Sequence, residues 1–127
     1  MTNLKDVMSR HYDTIDPDLS IKDAIRKIDT LNLSLLIVSR DRKVHGVLQE
    51  TDLRRRLEES GRDPSTASVR EFMSPEVLVG YEDQDVREFV SPMRQNNIHA
   101  IPVLDSGSRM VGLFTLGGPW KRSTPPS

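Results

Sequence analysis

Gly46-Val47-Leu48-Gln49-Glu50-Thr51-Asp52 comes off an apolar run and opens the helical pattern Leu53-Arg54-Arg55-Arg56-Leu57-Glu58. A glycine inside a strand marks a place where other backbone passes closely, which is the reading of Gly46. Val47 and Leu48 finish the strand. Thr51 and Asp52 stand where the helix begins, Asp being a favoured N-cap type. Such a strand-to-helix turn gathers backbone N–H groups and a carboxylate at one point, chemistry that suits a phosphate and a sugar hydroxyl. The turn is echoed at Gly112-Leu113-Phe114-Thr115-Leu116-Gly117-Gly118, and that echo decides the fold.

Outward from the turn, Val44 to Leu48 is one strand and Leu35-Leu36-Ile37-Val38 its neighbour. The second is a continuous apolar run, as expected of a strand covered on both faces in a parallel sheet. Arg40-Asp41-Arg42-Lys43 between them is a charged hairpin turn. Ser20, with Asp23 three residues on, resembles a capping box. It opens a helix with Ile21, Ala24, Ile25, Ile28 and Leu31 at helical spacing, ended by Asn32. His11 to Asp16 is a short extended piece, and Leu4 to Ser9 an apolar-polar lead. Downstream, Leu53 to Ser60 is a helix closed by Gly61.

The pattern then restarts. Met8-Ser9 returns as Met73-Ser74, 65 residues later. At the same shift Ser20 and Asp23 fall on Asp85 and Glu88, and Ile21, Ala24, Ile25 and Ile28 on Val86, Phe89, Val90 and Met93. One extra residue in the second hairpin brings Gly46 onto Gly112. Such self-similarity predicts an α/β fold of two β-α-β-β-α repeats, each too small for a core of its own and therefore packed on the other. The expected divisions are residues 4–61, a linker at 62–68, a second repeat at 69–120 with a truncated last helix, and a polar tail at 121–127. Pro92 falls inside a helix, where it should cause a kink. Trp120, left without a full closing helix, is a candidate contact residue.

Composition narrows the function. Lys and Arg number 18 against 19 Asp and Glu, for a net charge of −1, so no basic excess points to nucleic acid. The absence of cysteine excludes disulfides and thiolate chemistry and fits a cytoplasmic location. No apolar run approaches the roughly 18 residues of a membrane span. No spacing joins a nucleophile to a base, and His11 and His45 have no partners at metal-ligand spacing, so neither an enzyme nor a metal site is expected.

The ordered set of Met8-Ser9, Thr14-Ile15-Asp16-Pro17-Asp18, Met73-Ser74, His99-Ala100-Ile101-Pro102-Val103-Leu104-Asp105 and the two strand–helix turns resembles a tandem pair of CBS (cystathionine β-synthase) domains, a Bateman module. The resemblance runs from about Leu4 to Trp120. It implies two repeats about a pseudo-two-fold axis and a tendency to dimerise. It also implies an adenosine-type ligand (AMP, ADP, ATP or S-adenosylmethionine) between the repeats, and control of an attached or partner enzyme. Gln49 to Arg55 and Glu71 to Pro75 are similar to CBS pairs that precede sugar-phosphate nucleotidyltransferase domains.

In the family's ligand motif a Thr or Ser helps hold phosphate, and an Asp three residues later holds the ribose. Here the pair is split: Asp52 follows Gln49, whereas Thr115 precedes Gly118. The resemblance implies a site at Thr14, Leu36, Thr51 and Asp52, with Thr51 as the replacement hydroxyl and Thr115 marking a degenerate second site. No cofactor is required. The plainer readings stand beside these: Asp52 as a helix cap, His99 as a structural histidine, Met73 and Met93 as core. Arg54-Arg55-Arg56 reads as a solvated face paired with Glu58 and Glu59 rather than a phosphate contact. A module that dimerises without a ligand is the alternative function.

Overall fold

A computed structural model of the chain describes residues 1–116; Gly117, Gly118, Trp120, the truncated last helix expected from the sequence and the stretch read as a polar tail lie outside the described residues. The first unit contains β1 (Thr14–Ile15), α2 (Ile21–Leu31), β2 (Leu35–Arg40), β3 (Lys43–Gln49) and α3 (Glu50–Ser60), preceded by the one-turn helix α1 (Leu4–Val7). The second contains β4 (Gly80–Tyr81), α5 (Arg87–Gln95), β5 (Ala100–Leu104) and β6 (Met110–Thr115), preceded by α4 (Val69–Phe72). Each unit has one three-stranded sheet, β1-β2-β3 and β4-β5-β6, with the first pair parallel and the second antiparallel. The sheets are therefore mixed rather than wholly parallel, but β2 is covered on both sides. Leu36 and Val38 enter the core of the first unit, and Ile37 enters an apolar layer shared with Ala100, Leu104, Met110 and Leu113 of the second.

Local chemistry repeats with the shift. Asn32 and Asn97, 65 residues apart, both adopt the left-handed conformation at helix ends (φ 55° and 54°), a role Asn tolerates well. Asp41 and Arg42 both have positive φ, making the first hairpin a two-residue turn of the type whose twist matches the strands. In each sheet the register slips just before the glycine, so that Val38 pairs with Gly46 and Ser39 with Val44, and Val103 with Gly112 and Leu104 with Met110. These bulges bend β3 and β6 at equivalent places. α5 runs on through Pro92, the predicted kink point. Pro92 and Glu88, the residue whose carbonyl loses its partner, are both exposed, so water can take up the missing bond.

The leads to the two units are exchanged. Leu4 and Met8 are buried in the core of the second unit, whereas Ala67, Val69 and Phe72 are buried in that of the first. Met8-Ser9 crosses β6, with paired Ser9–Leu113 backbone bonds of 2.8 and 2.9 Å; Met73-Ser74 crosses β3, with Ser74–Val47 bonds of 2.9 and 3.0 Å. The linker likewise binds the first unit: Ala67 and Pro64 carbonyls accept from the Ile21 and Lys22 N–H groups (2.8 and 2.9 Å) at the start of α2. With Ser20 Oγ accepting from the Asp23 N–H (3.1 Å), three helix-end donors are satisfied. Thr2 does the same for Val86 (2.9 Å). Gly46 and Gly112 are thereby explained: a Cβ would lie 2.6 Å from the Ser74 carbonyl oxygen at the first and 2.3 Å from the Met8 sulfur at the second.

Candidate functional site

The turn after β3 faces the opposite unit. β3 runs to Gln49 and α3 begins at Glu50, whose N–H donates to the Ser34 carbonyl (3.0 Å). Asp52 is thus the third helical residue and not the cap; the N-cap is Gln49, whose side chain makes no capping bond. Gln49 and Thr51 line a cleft of 310 Å³. Its other wall comes from the second unit: Glu76 and Val77 on the approach to β4, and Asn97 and His99 at the entrance to β5. The floor is apolar, with Leu35 and Ile37 meeting Ala100 and Ile101. Both units build one site because the exchanged lead, pinned to β3 at Ser74, carries Glu76 and Val77 across the end of the first sheet.

The five residues singled out from the sequence are not brought together. Thr51 lines the cleft. Leu36 does not; it is fully buried in the core of the first unit, while its neighbours Leu35 and Ile37 face the cleft, because successive strand residues point to opposite sides. Thr14 pairs with Ile37 but lines a separate 460 Å³ depression at the hairpin end, with Tyr12, Asp16, Ser39, Arg40 and Met110. Thr115 lies opposite Ala100 in the second sheet. His99 is exposed on the cleft wall and is not a buried structural residue. Asn97 also lines the cleft; its helix-ending position was legible from the repeat with Asn32, its place in a site was not.

Asp52 is beside the cleft and already engaged. Arg55 donates to it at 2.6 Å, and Arg56 is ion-paired with it at 3.7 Å. Arg56 also donates to the Phe72 carbonyl (2.8 Å), with its guanidinium 5.7 Å from the Phe72 ring centroid, a cation–π distance. Arg54 bridges Glu50 and Asp29 (3.0 and 2.5 Å). The arginine run is therefore a paired helix face, as its sequence suggested, but its partners differ: Arg55 reaches Glu59 at 3.5 Å, while Arg54 and Arg56 turn to α2, the first turn of α3 and α4. A second charged cluster sits at the hairpin end, where Arg40 holds Asp16 by two bonds (3.0 and 2.8 Å) and also Asp18. The Arg40 guanidinium and the Asp18 N–H push the Asp16 carboxyl down to about 2. Among the described residues no group of His, Asp and Glu is placed to hold a metal, and no helix is long and apolar enough to cross a membrane.

Comparison with known proteins fits this architecture. The CBS domain-containing protein YhcV of Bacillus subtilis is 28% identical over 117 residues, covering 92% of this chain and 82% of its own. The inosine-5′-monophosphate dehydrogenase of Methanocaldococcus jannaschii is 27% identical over 120 residues, which are 94% of this chain but 22% of that enzyme. The CBS domain pair of protein MJ0100, solved in complex with 5′-methylthioadenosine and S-adenosyl-L-methionine, superposes with a TM-score of 0.75 at 26% identity, covering 91% of this chain and 90% of that one. The CBS-domain family model matches residues 4–59 and again residues 69–117. With both halves matched and the two sheets related by the same shift, the chain belongs to the CBS-domain family, as a tandem pair of repeats.

Proposed function

We propose that this CBS pair is a regulatory module that binds an adenosyl ligand in the cleft between its repeats and controls an attached or partner enzyme. The observation that carries the proposal is that both units build the cleft, Gln49 and Thr51 from one and Asn97 and His99 from the other. A ligand there is sensitive to how the units sit, and shifts that placement by as much as its affinities for the two arrangements differ. The likeness to a pair solved with adenosyl compounds supports the ligand class, and the dehydrogenase relative, of which this chain matches about a fifth, supports an enzyme as the controlled partner. Asp52 is the proposed ribose contact, available when it leaves Arg55 and Arg56, and Thr51 supplies the replacement hydroxyl beside it.

The test is thermal unfolding with adenosine, 5′-methylthioadenosine, S-adenosylmethionine, AMP, ADP and ATP. A ligand at 100 times its Kd should add about 2.7 kcal/mol of stability. Asp52→Ala should weaken binding about ten-fold, the loss of one charged hydrogen bond, without unfolding the chain. Unchanged affinity removes Asp52 from the site. A second reading, a homodimerising module without a ligand, is favoured by the engagement of Asp52 with two arginines. It predicts a dimer in light scattering and no thermal shift with any of the six compounds.

A further inference from the structure

Resting on that reading, we propose that the cleft selects an adenosyl compound without phosphate, neutral or positively charged, against nucleoside di- and triphosphates. A bound phosphate needs cationic side chains or free N–H groups. Among the described residues, no lysine or arginine lines the cleft; its polar groups include Gln49, Thr51, Asn97 and His99, and its one carboxylate is Glu76.

The arginines of α3 that follow Gln49 and Thr51 are paired, and Arg94, three residues before Asn97, lines an adjoining depression rather than the cleft. Arg54 is held by Glu50 and Asp29, Arg55 by Asp52 and Glu59, and Arg56 by Asp52 and the Phe72 carbonyl. The start of α3 is a poor substitute, because its first N–H already donates to Ser34 and its first turn carries the carboxylates of Glu50 and Asp52, whose charge opposes a phosphate beside the remaining N–H groups. Glu76, exposed on the opposite wall, adds a negative charge that repels phosphate and attracts an amine or a sulfonium. The volume, 310 Å³, is at the lower end of the range for small-molecule sites, about 300–1,000 Å³, and accommodates a nucleoside.

The experiment is titration calorimetry on the whole chain at pH 8. The probes are adenosine, 5′-methylthioadenosine, S-adenosylmethionine, ADP and ATP. At least one of the three phosphate-free compounds should bind about ten-fold or more tightly than ADP and ATP, and Glu76→Lys should narrow or reverse that ratio. ADP or ATP binding as tightly as the best phosphate-free compound overturns the selectivity and leaves the sensor reading standing. A ratio unmoved by Glu76→Lys removes Glu76 as its source. Binding by none of the five removes the sensor reading and the selectivity with it.

Discussion

The third strands of the two units make the same crossing with different materials. At β3 the crossing atom nearest Gly46 is the backbone oxygen of Ser74; at β6 the atom nearest Gly112 is the side-chain sulfur of Met8. Both crossings are tied by paired backbone bonds; what differs is the atom an added side chain would meet, a backbone oxygen at Gly46 and a side-chain sulfur at Gly112. The first unit is also the more heavily fastened by charge: Arg40 holds Asp16 and Asp18, Arg70 also reaches Asp18 (3.3 Å), and Arg62 holds Glu71 (3.0 Å). At the position equivalent to Asp16 the second unit has Tyr81, which is exposed. A plan drawn twice thus has more charged fastenings in the copy that supplies the strand–helix turn of the cleft.

The largest effect should come from emptying the exchanged core. Leu4 precedes the first unit in sequence, yet is fully buried within the second. Leu4→Ala should cost about 3 kcal/mol, in the range for a buried leucine, measured by urea unfolding. A loss below about 0.5 kcal/mol, typical of a surface site, would show that the lead is only draped on the second unit. Next come the crossings. Gly46→Ala should cost about 2–3 kcal/mol and Gly112→Ala about 1 kcal/mol, within the range for overpacking. Equal costs would erase the contrast between the two.

The smallest effect is on acid stability. Asp16 is pushed down to about 2 by Arg40 and the Asp18 N–H, and Glu71 to about 2 by Arg62 and Ser68. A depressed carboxylate stabilises the fold above its unfolded value, and that contribution fades as pH falls through the folded value. For these two groups the window runs from 3.8 and 4.5 down to about 2. Urea midpoints should fall across it, and Asp16→Asn and Glu71→Gln should each flatten the fall. Both pairs are solvent-exposed, so the change is modest. A slope the same in the double variant as in the parent would show that the pairs add nothing.

The repeat was legible because it rests on local signals that survive translation by a fixed shift: the helix-opening Ser20 and Asp85, the Asn32 and Asn97 endings, the Met-Ser doublets and the mid-strand glycines. The short leading helices went unread, although each is opened by an acid that accepts from the N–H three residues earlier, Asp6 from Asn3 and Glu71 from Ser68 (2.9 and 2.7 Å). What the sequence did not display was which unit each lead serves. Leu4 packs equally well in principle on either copy, and only the three-dimensional closure decides. The resemblance sets Thr14 and Leu36 with Asp52 as the positions that frame a base, whereas the exchange sets the turn of the first repeat against the β5 entrance of the second. Leu36 stands one step from Leu35 and Ile37, which a strand's alternation turns into the difference between core and cleft.

The exchanged leads impose an order of events on a chain made from its N-terminus. The first unit can close only after Ser74 has emerged, because Ala67, Val69 and Phe72 complete its interior. The opening segment through Ser9 waits longer still, since its docking partner Leu113 lies in β6, the last strand of the second unit. A segment made before either sheet is therefore seated only after both have been made.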